Sequence, residues 1–279
     1  MNLPLPLDYA PMEARTVESI PDGDGWQYEP KWDGFRCLAF RDDDDLKLRS
    51  KSGQPLERYF PEIAEALLTL GAKRFVLDGE LVVAKGDALS FDDLLLRIHP
   101  AASRVAMLAR ESPATFLAFD LLADERNRAL TSETLAQRRP HLERFAKRYF
   151  PTGGRIRLSP ASTNRKMVDR WFARVGGALD GVVAKRLDRP YASGKRDAMV
   201  KVKSIRTADC VVGGFRYAQS TRAIGSLLLG LYDDAGLLHY VGFASAFSAG
   251  ERAALLEKLR PLEASKSFTG RSPGGPSSP

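Results

Sequence analysis

Lys31 stands in a setting that favours covalent chemistry. The octapeptide from residue 29 to residue 36 reads Glu-Pro-Lys-Trp-Asp-Gly-Phe-Arg. Pro30 restricts the chain before the lysine, and an Asp-Gly pair turns the chain after it. Burial beside other cations favours the neutral amine that acts as a nucleophile. A strand lysine followed by a common Asp-Gly turn would have the same residues, so partners elsewhere in the chain must decide between the two interpretations.

Five further motifs follow Lys31 in order. They are Leu-Arg-Ser-Lys-Ser-Gly (48–53), Leu-Asp-Gly-Glu-Leu (77–81), Ala-Phe-Asp-Leu-Leu (118–122), Leu-Asp-Gly-Val-Val-Ala-Lys (179–185) and Met-Val-Lys-Val-Lys (199–203). With Lys-x-Asp-Gly-x-Arg in front, this order resembles the covalent nucleotidyltransferases, which comprise DNA ligases, RNA ligases and messenger-RNA capping enzymes. Ser-Gly-Lys-Arg before the last motif and residues 207–216 after it resemble the short, repair-linked bacterial ATP-dependent DNA ligases of the C type. The resemblance extends from about Pro11 to the last residue.

The resemblance implies a three-step reaction. Lys31 would take AMP from ATP, the AMP would pass to the 5′-phosphate of a DNA nick, and the adjacent 3′-hydroxyl would displace it. Lys51 stands where relatives contact that 5′-phosphate, often with an arginine. Two alternatives stay open from the sequence: an RNA ligase or capping-type guanylyltransferase, and a catalytically idle DNA-binding ligase fragment.

The resemblance also implies a nucleotide site. Phe119 would stack on adenine, although a plain core phenylalanine is the alternative. Glu29 would accept a hydrogen bond from the adenine amino group and so favour ATP over GTP. Arg36 would contact ribose or phosphate through its planar guanidinium.

Lys201 and Lys203 alternate with Val200 and Val202. On a strand, both ammonium groups therefore project to one face while the valines enter the core. The alternation alone would fit an exposed face, but the resemblance implies an α-phosphate site, to which Lys185 would add a third cation.

Glu80 and Asp180 are the candidate metal ligands. Phosphoryl transfer requires a hard divalent cation, Mg²⁺ or Mn²⁺, and carboxylates suit such an ion. Asp180 replaces the glutamate that is usual in the family, so its reach is shorter and a bridging water is expected. Taken without the other motifs, both Asp-Gly pairs would be simple turns that lead into strands.

Composition fits a soluble protein with a polyanionic partner. The chain has 279 residues, 44% of them hydrophobic, and a net charge of +7, which favours a polyanionic partner. The resemblance implies that this partner is nicked double-stranded DNA, with DNA repair proteins as further candidates. Cys37 and Cys210 lie in apolar, strand-like runs and are expected to be buried thiols, while the three histidines lack ligand spacing. Without a leader or a run of about 20 apolar residues, a cytoplasmic monomer that acts at the nucleoid is expected.

The pattern of elements predicts an α+β fold. The expected architecture is a mixed-sheet, ATP-grasp-like nucleotidyltransferase (adenylation) domain over residues 1–204, followed by a partial OB-fold β-barrel with a flexible tail over residues 205–279. The basic residues of a helix predicted over 132–149, Arg138, Arg139, Arg144, Lys147 and Arg148, are expected to be solvated on one face, with DNA contact as the alternative. Two barrel strands and the family's final basic motif are absent, so the sequence predicts a truncated chain whose self-adenylation is uncertain.

Overall fold

The computed structural model of the protein describes residues 1–86, 88–172, 179–203, 207–218, 223–264 and 267–269. The chain divides into two compact units, residues 1–205 and residues 206–279. This division lies one residue from the predicted domain boundary. The described helices include none long and apolar enough to cross a membrane.

The first unit is an α+β arrangement of ten strands and five α-helices among its described residues. In chain order these are β1 (Arg15–Thr16), β2 (Trp26–Trp32), β3 (Phe35–Asp42), β4 (Asp45–Ser50), α1 (Pro61–Leu68), β5 (Arg74–Lys85), β6 (Ala88–Leu89), α2 (Phe91–Leu95), α3 (Ala102–Glu111), β7 (Ala114–Ala123), α4 (Leu135–Tyr149), β8 (Ile156–Leu158), α5 (Arg165–Phe172), β9 (Leu179–Arg186) and β10 (Met199–Lys203). The sequence pattern predicts these helices and strands except β1, β6 and β8, and the described ends lie within three residues of the predicted ones. It predicts the end of α5 at residue 175, which lies outside the described residues.

Two mixed sheets carry the motifs. The larger sheet has the order β4-β3-β5-β7-β8, with β6 paired to β5, and the smaller has the order β1-β10-β9-β2. Neighbouring residues of β3 pack on opposite faces of the larger sheet: Cys37 joins the core under α1 and α4, while Leu38 joins a second core with Met12 and Tyr191. Coverage on both faces explains why β5 and β7 are almost continuously buried. The smaller sheet packs against α5 through Val168 and Trp171.

Two arginines of α4 contradict the prediction of a solvated basic face. Arg138 is buried and donates to Asp120 of β7 through Nε at 2.9 Å and NH2 at 3.0 Å. Arg139 is also buried and donates to Glu143 at 2.8 Å and to the carbonyl of Ser159 at 2.9 Å. A buried guanidinium requires such partners, and these arginines join α4 to the sheet. The other three basic residues are exposed as predicted.

The cysteine prediction is half right. Cys37 is fully buried in β3, where burial raises the pKa of its thiol. Cys210 is only partly buried and precedes the strand that begins at Val211, so the prediction of a buried strand thiol is wrong for it. No group of three or more His, Cys, Asp or Glu side chains among the described residues could hold a metal ion by itself.

The described part of the second unit contains a three-stranded antiparallel sheet and a helix. Its elements are β11 (Val211–Tyr217), β12 (Ile224–Tyr232), β13 (Leu238–Ala244) and α6 (Ala249–Leu259), all as predicted to within two residues. Ser248 and Glu251 form a capping box at the start of α6. The identification of this unit as a partial OB-fold stays a prediction, and the predicted flexible tail from residue 270 lies outside the described residues.

Candidate active site

A pocket of about 970 Å³ in the first unit collects most of the predicted site residues. Eight of them line it: Glu29, Lys31, Arg36, Lys51, Glu80, Phe119, Lys185 and Lys201. The remaining two, Asp180 and Lys203, are outside the lining but join it through ion pairs described below. Residues from six separate motifs, spread over more than half of the chain, are thus brought to one place.

Lys31 lies at the end of β2, opposite Gly181 of β9. Its ammonium group donates a hydrogen bond to the Asp180 carboxylate. Gly34 allows the turn that follows, because a Cβ at this position would overlap the carbonyl oxygen of Leu81. The indole of Trp32 donates to Ser159 Oγ at 2.9 Å and holds the strand end in place. The lysine is therefore anchored through its neighbours, as the sequence predicted.

The paired lysines of β10 lie on the same face of the smaller sheet as Lys31. Lys201 pairs with Val183 and Lys203 pairs with Gly181, the residue that also pairs with Lys31. Lys203 Nζ lies 3.6 Å from the Asp180 carboxylate. Burial, followed by repulsion from Lys203 and Lys31, lowers the pKa of Lys201. Concentrated positive charge of this kind attracts phosphate.

Lys185 is placed differently from the other two lysines. It is buried, its Nζ lies 2.8 Å from Glu29 Oε2, and the Glu29 Oε1 accepts a hydrogen bond from Gln27 at 2.8 Å. The same Nζ lies 4.5 Å from the centre of the Phe119 ring. Lys185 therefore contacts Glu29 and Phe119, the two residues predicted to bind adenine.

Arg36 belongs to a network that the sequence did not reveal. It donates to both oxygens of the fully buried Asp78 at 2.5 Å, and the Tyr191 hydroxyl donates to the same carboxylate at 2.6 Å. The guanidinium lies 4.5 Å from the centre of the Phe119 ring. Asp78 stands two residues before Glu80 on β5, so strand alternation could have placed it on the same side of the sheet, but nothing local indicated Tyr191.

Glu80 pairs with Arg36 across β3 and β5. Burial raises the pKa of its carboxyl group to about 8, although Arg36 and Lys31 oppose the shift. Glu80 and Asp180 supply hard oxygen donors but form no three-carboxylate cluster. Mg²⁺ is commonly held by one or two carboxylates together with substrate phosphates and water, so this donor set fits a cation that the nucleotide helps to bind.

Lys51 lies in the turn after β4 and is mostly exposed. Its Nζ lies 3.0 Å from Glu13, which also accepts hydrogen bonds from Arg196. Glu13 and Arg196 were absent from the predicted site. No motif pointed to Glu13, and Arg196 was noted only as part of the segment before β10.

Comparison with known proteins shows which family this chain resembles. The family model of the ATP dependent DNA ligase domain matches residues 11–203. DNA ligase C2 of Mycolicibacterium smegmatis is 48% identical over 269 residues, which cover 95% of this chain and 73% of that protein. The multifunctional non-homologous end joining DNA repair protein LigD of Mycobacterium tuberculosis is 33% identical over 245 residues, or 87% of this chain and 30% of that protein. A solved mycobacterial DNA ligase D complexed with ATP and MES superposes with a TM-score of 0.59 at 29% identity, covering 96% of this chain and 83% of that one.

Proposed function

The chain belongs to the ATP-dependent DNA ligase family, and we propose that it seals nicks through a covalent AMP carried on Lys31. The observation that carries this proposal is the position of Lys31 in one pocket with Glu29, Arg36, Phe119 and Lys201. A nucleophilic amine can attack a nucleotide phosphate, and nearby cations stabilise the negative charge on its oxygens. The aromatic ring can hold the base of the nucleotide.

The first step forms a phosphoramidate. Lys31 Nζ attacks the α-phosphorus of ATP, a nitrogen–phosphorus bond forms, and the bond to pyrophosphate breaks. The amine must lose a proton before it attacks. Because the Asp180 carboxylate accepts a hydrogen bond from this amine, we propose that the proton moves toward Asp180. Lys201 and Lys203 lie on the same face and stabilise the charge on the α-phosphate oxygens.

The next two steps use the DNA. An oxygen of the 5′-phosphate at the nick attacks the AMP phosphorus, the phosphorus–nitrogen bond breaks, and the lysine amine is restored. The 3′-hydroxyl then attacks the 5′-phosphorus, a phosphodiester forms, and AMP leaves. Lys51 is the proposed contact for the 5′-phosphate, because its exposed ammonium borders the pocket.

Base recognition falls to Phe119, Glu29 and Lys185. We propose that adenine lies against Phe119 and that Glu29, held by Gln27 and Lys185, accepts a hydrogen bond from the adenine amino group. Guanine has a carbonyl at that position, so ATP is preferred over GTP. Arg36, oriented by Asp78, contacts the ribose or a phosphate.

A divalent cation, Mg²⁺ or Mn²⁺, completes the proposed site. Glu80 and Asp180 would hold it together with nucleotide phosphates, and when bound it would neutralise phosphate charge during transfer. Glu80 must give up its carboxyl proton to serve as a ligand, since its pKa is raised to about 8.

The proposed setting is the repair of DNA breaks. Nicked double-stranded DNA is the proposed substrate, supported by the net charge of +7 and by the end-joining role named for the relative LigD. We propose a monomer that works on cytoplasmic, nucleoid-associated DNA with other repair proteins.

A nick-sealing assay tests the function. The chain is incubated with Mg²⁺, a labelled nicked duplex and either ATP or GTP, with Lys31→Ala as the matched control. Sealing with ATP alone, and none with the variant, is expected. An adduct from GTP instead of ATP would indicate a guanylyltransferase, and failure to seal even a pre-adenylated nick would indicate a DNA-binding fragment without activity.

A further inference from the structure

Glu13 holds two cations at the edge of the pocket. One carboxylate oxygen, Oε2, lies 3.0 Å from Lys51 Nζ and accepts hydrogen bonds from Arg196 Nε at 3.0 Å and NH2 at 2.8 Å. The side chains of Lys51 and Arg196 are 58% and 66% exposed, whereas that of Glu13 is 24% exposed. A single acidic side chain therefore occupies two cations that are open to solvent.

The backbone fixes Glu13 independently of the two cations. Its own amide donates to the carbonyl of Lys195 at 2.9 Å, and the amide of Met12 donates to the Tyr191 hydroxyl at 3.0 Å. The Ser193 hydroxyl donates to the carbonyl of Ala10 at 2.7 Å. The carboxylate is thus presented to Lys51 and Arg196 by an ordered segment and would remain nearby if another anion took its place.

Phosphate is chemically suited to take that place. A carboxylate and a phosphate accept the same hydrogen bonds from lysine and arginine, but a terminal phosphate has three free oxygens and up to two negative charges. Because exposed ion pairs contribute little stability, the exchange of one anion for another changes the free energy only slightly. Bonds from Lys51 and Arg196 lower the pKa of Glu13, which keeps its carboxylate ionised and competitive at neutral pH.

We propose that Glu13 is an intramolecular competitor of the 5′-phosphate for Lys51 and Arg196. The terminal phosphate of a nick displaces Glu13 from both cations because it carries more charge. After adenylation and sealing, that phosphate is a diester with one negative charge, and Glu13 then recovers the cations and favours release of the product. This inference rests on the proposed function and names a determinant of how its DNA substrate binds and leaves.

Equilibrium binding to two nicked duplexes tests the inference. The duplexes differ only in a 5′-phosphate or a 5′-hydroxyl at the nick, and the dissociation constants are measured by fluorescence anisotropy without ATP or divalent cations. Glu13→Gln should tighten binding of the phosphorylated nick about threefold to tenfold more than binding of the hydroxyl nick. The effect should vanish when Lys51→Ala and Arg196→Ala are also present, because nothing is then left to compete for.

A matched control separates this effect from a change in net charge. Asp188→Asn removes one exposed carboxylate that is paired with Arg186 outside the pocket lining, and it should change both nicks equally. Equal tightening of both nicks by Glu13→Gln, or no tightening, would overturn the inference. Tighter ATP binding with unchanged nick binding would also overturn it, since the competing anion would then be the triphosphate. Nick sealing by the unchanged chain is scored separately, so either result leaves the test of the ligase mechanism intact.

Discussion

Asp78 and Asp180 hold two cations of the same pocket, Arg36 and Lys31, in opposite ways. Asp78 is fully buried and binds Arg36 and Tyr191, whereas Asp180 keeps 30% of its side chain exposed and binds Lys31 and Lys203. The inner cluster consists of Glu29, Arg36, Asp78, Lys185 and Tyr191, all of them buried except Arg36. The outer cluster consists of Glu13, Lys31, Lys51, Asp180, Arg196 and Lys203.

Buried pairs keep their side chains in fixed positions, whereas exposed pairs can exchange one partner for another. A buried charge that loses its partner is left without solvent, so the inner cluster has to stay closed and can hold Arg36 and Glu29 at fixed positions. Water screens the outer pairs, so their lysines can leave a carboxylate for a phosphate at little cost. The proposed nucleophile and the proposed DNA contact both belong to the outer cluster, where partners must change during the reaction.

Removal of Asp78 is expected to show the difference between the two clusters most strongly. Asp78→Ala leaves Arg36 without its carboxylate and the Tyr191 hydroxyl without its acceptor. The free energy of unfolding should fall by about 3 to 5 kcal/mol, as for other broken buried pairs. Urea denaturation measures the loss.

Asp180→Ala is the matched control from the outer cluster. It also removes an aspartate that is paired with a nucleotide-site cation, yet the expected loss is at most about 1 kcal/mol because the pair is partly solvated. Equal losses for the two variants would contradict the distinction between the clusters.

Glu80 should make the stability of the protein depend on pH. Its pKa is about 8 in the folded chain against an ordinary value of 4.5, so between these values the folded state keeps a proton that the unfolded state has lost. Stability from this group is complete below the ordinary value and declines as the pH rises through about 8. Relative to Glu80→Gln, the unfolding free energy of the unchanged chain should fall by up to about 5 kcal/mol across that window.

Urea denaturation in a metal chelator, at several pH values, checks this prediction. The chelator prevents a bound cation from replacing the proton. Parallel curves for the chain and for Glu80→Gln would show that Glu80 titrates normally and is solvated.

Phe119→Ala tests whether Phe119, which lies against the inner cluster, binds the adenine base. Stacking of a base on an aromatic ring contributes about 1 to 3 kcal/mol, so ATP affinity should fall by roughly tenfold to a hundredfold. Isothermal titration with ATP measures the change. Phe243→Ala removes an exposed aromatic ring of β13 and should leave ATP affinity unchanged. Unaltered affinity in Phe119→Ala would leave Phe119 as a core residue only.

The sequence indicated the motif residues because each lies in a short local pattern. The alternation of Lys201 and Lys203 and the Asp-Gly pair after Lys31 could be read within a few residues. The α+β class followed from the order of strand-like and helix-like segments along the chain.

The partners of these residues could not be predicted in this way. Tyr191 reaches Asp78 across 113 positions of sequence, and Arg138 reaches Asp120 from a helix whose composition suggested solvation. Such pairs depend on how two sheets and a helix pack together, and a charged residue looks alike in sequence whether it is solvated or buried beside an opposite charge.

Location of the AMP adduct tests the central claim most directly. The purified chain is incubated with ATP and Mg²⁺, digested, and analysed by mass spectrometry, with Lys31→Ala and Lys201→Ala in parallel. The account predicts one added AMP on the peptide that contains Lys31, none in Lys31→Ala, and a weaker adduct at the same position in Lys201→Ala. An adduct on another lysine, or an undiminished adduct in Lys31→Ala, would contradict the assignment of Lys31 as the nucleophile.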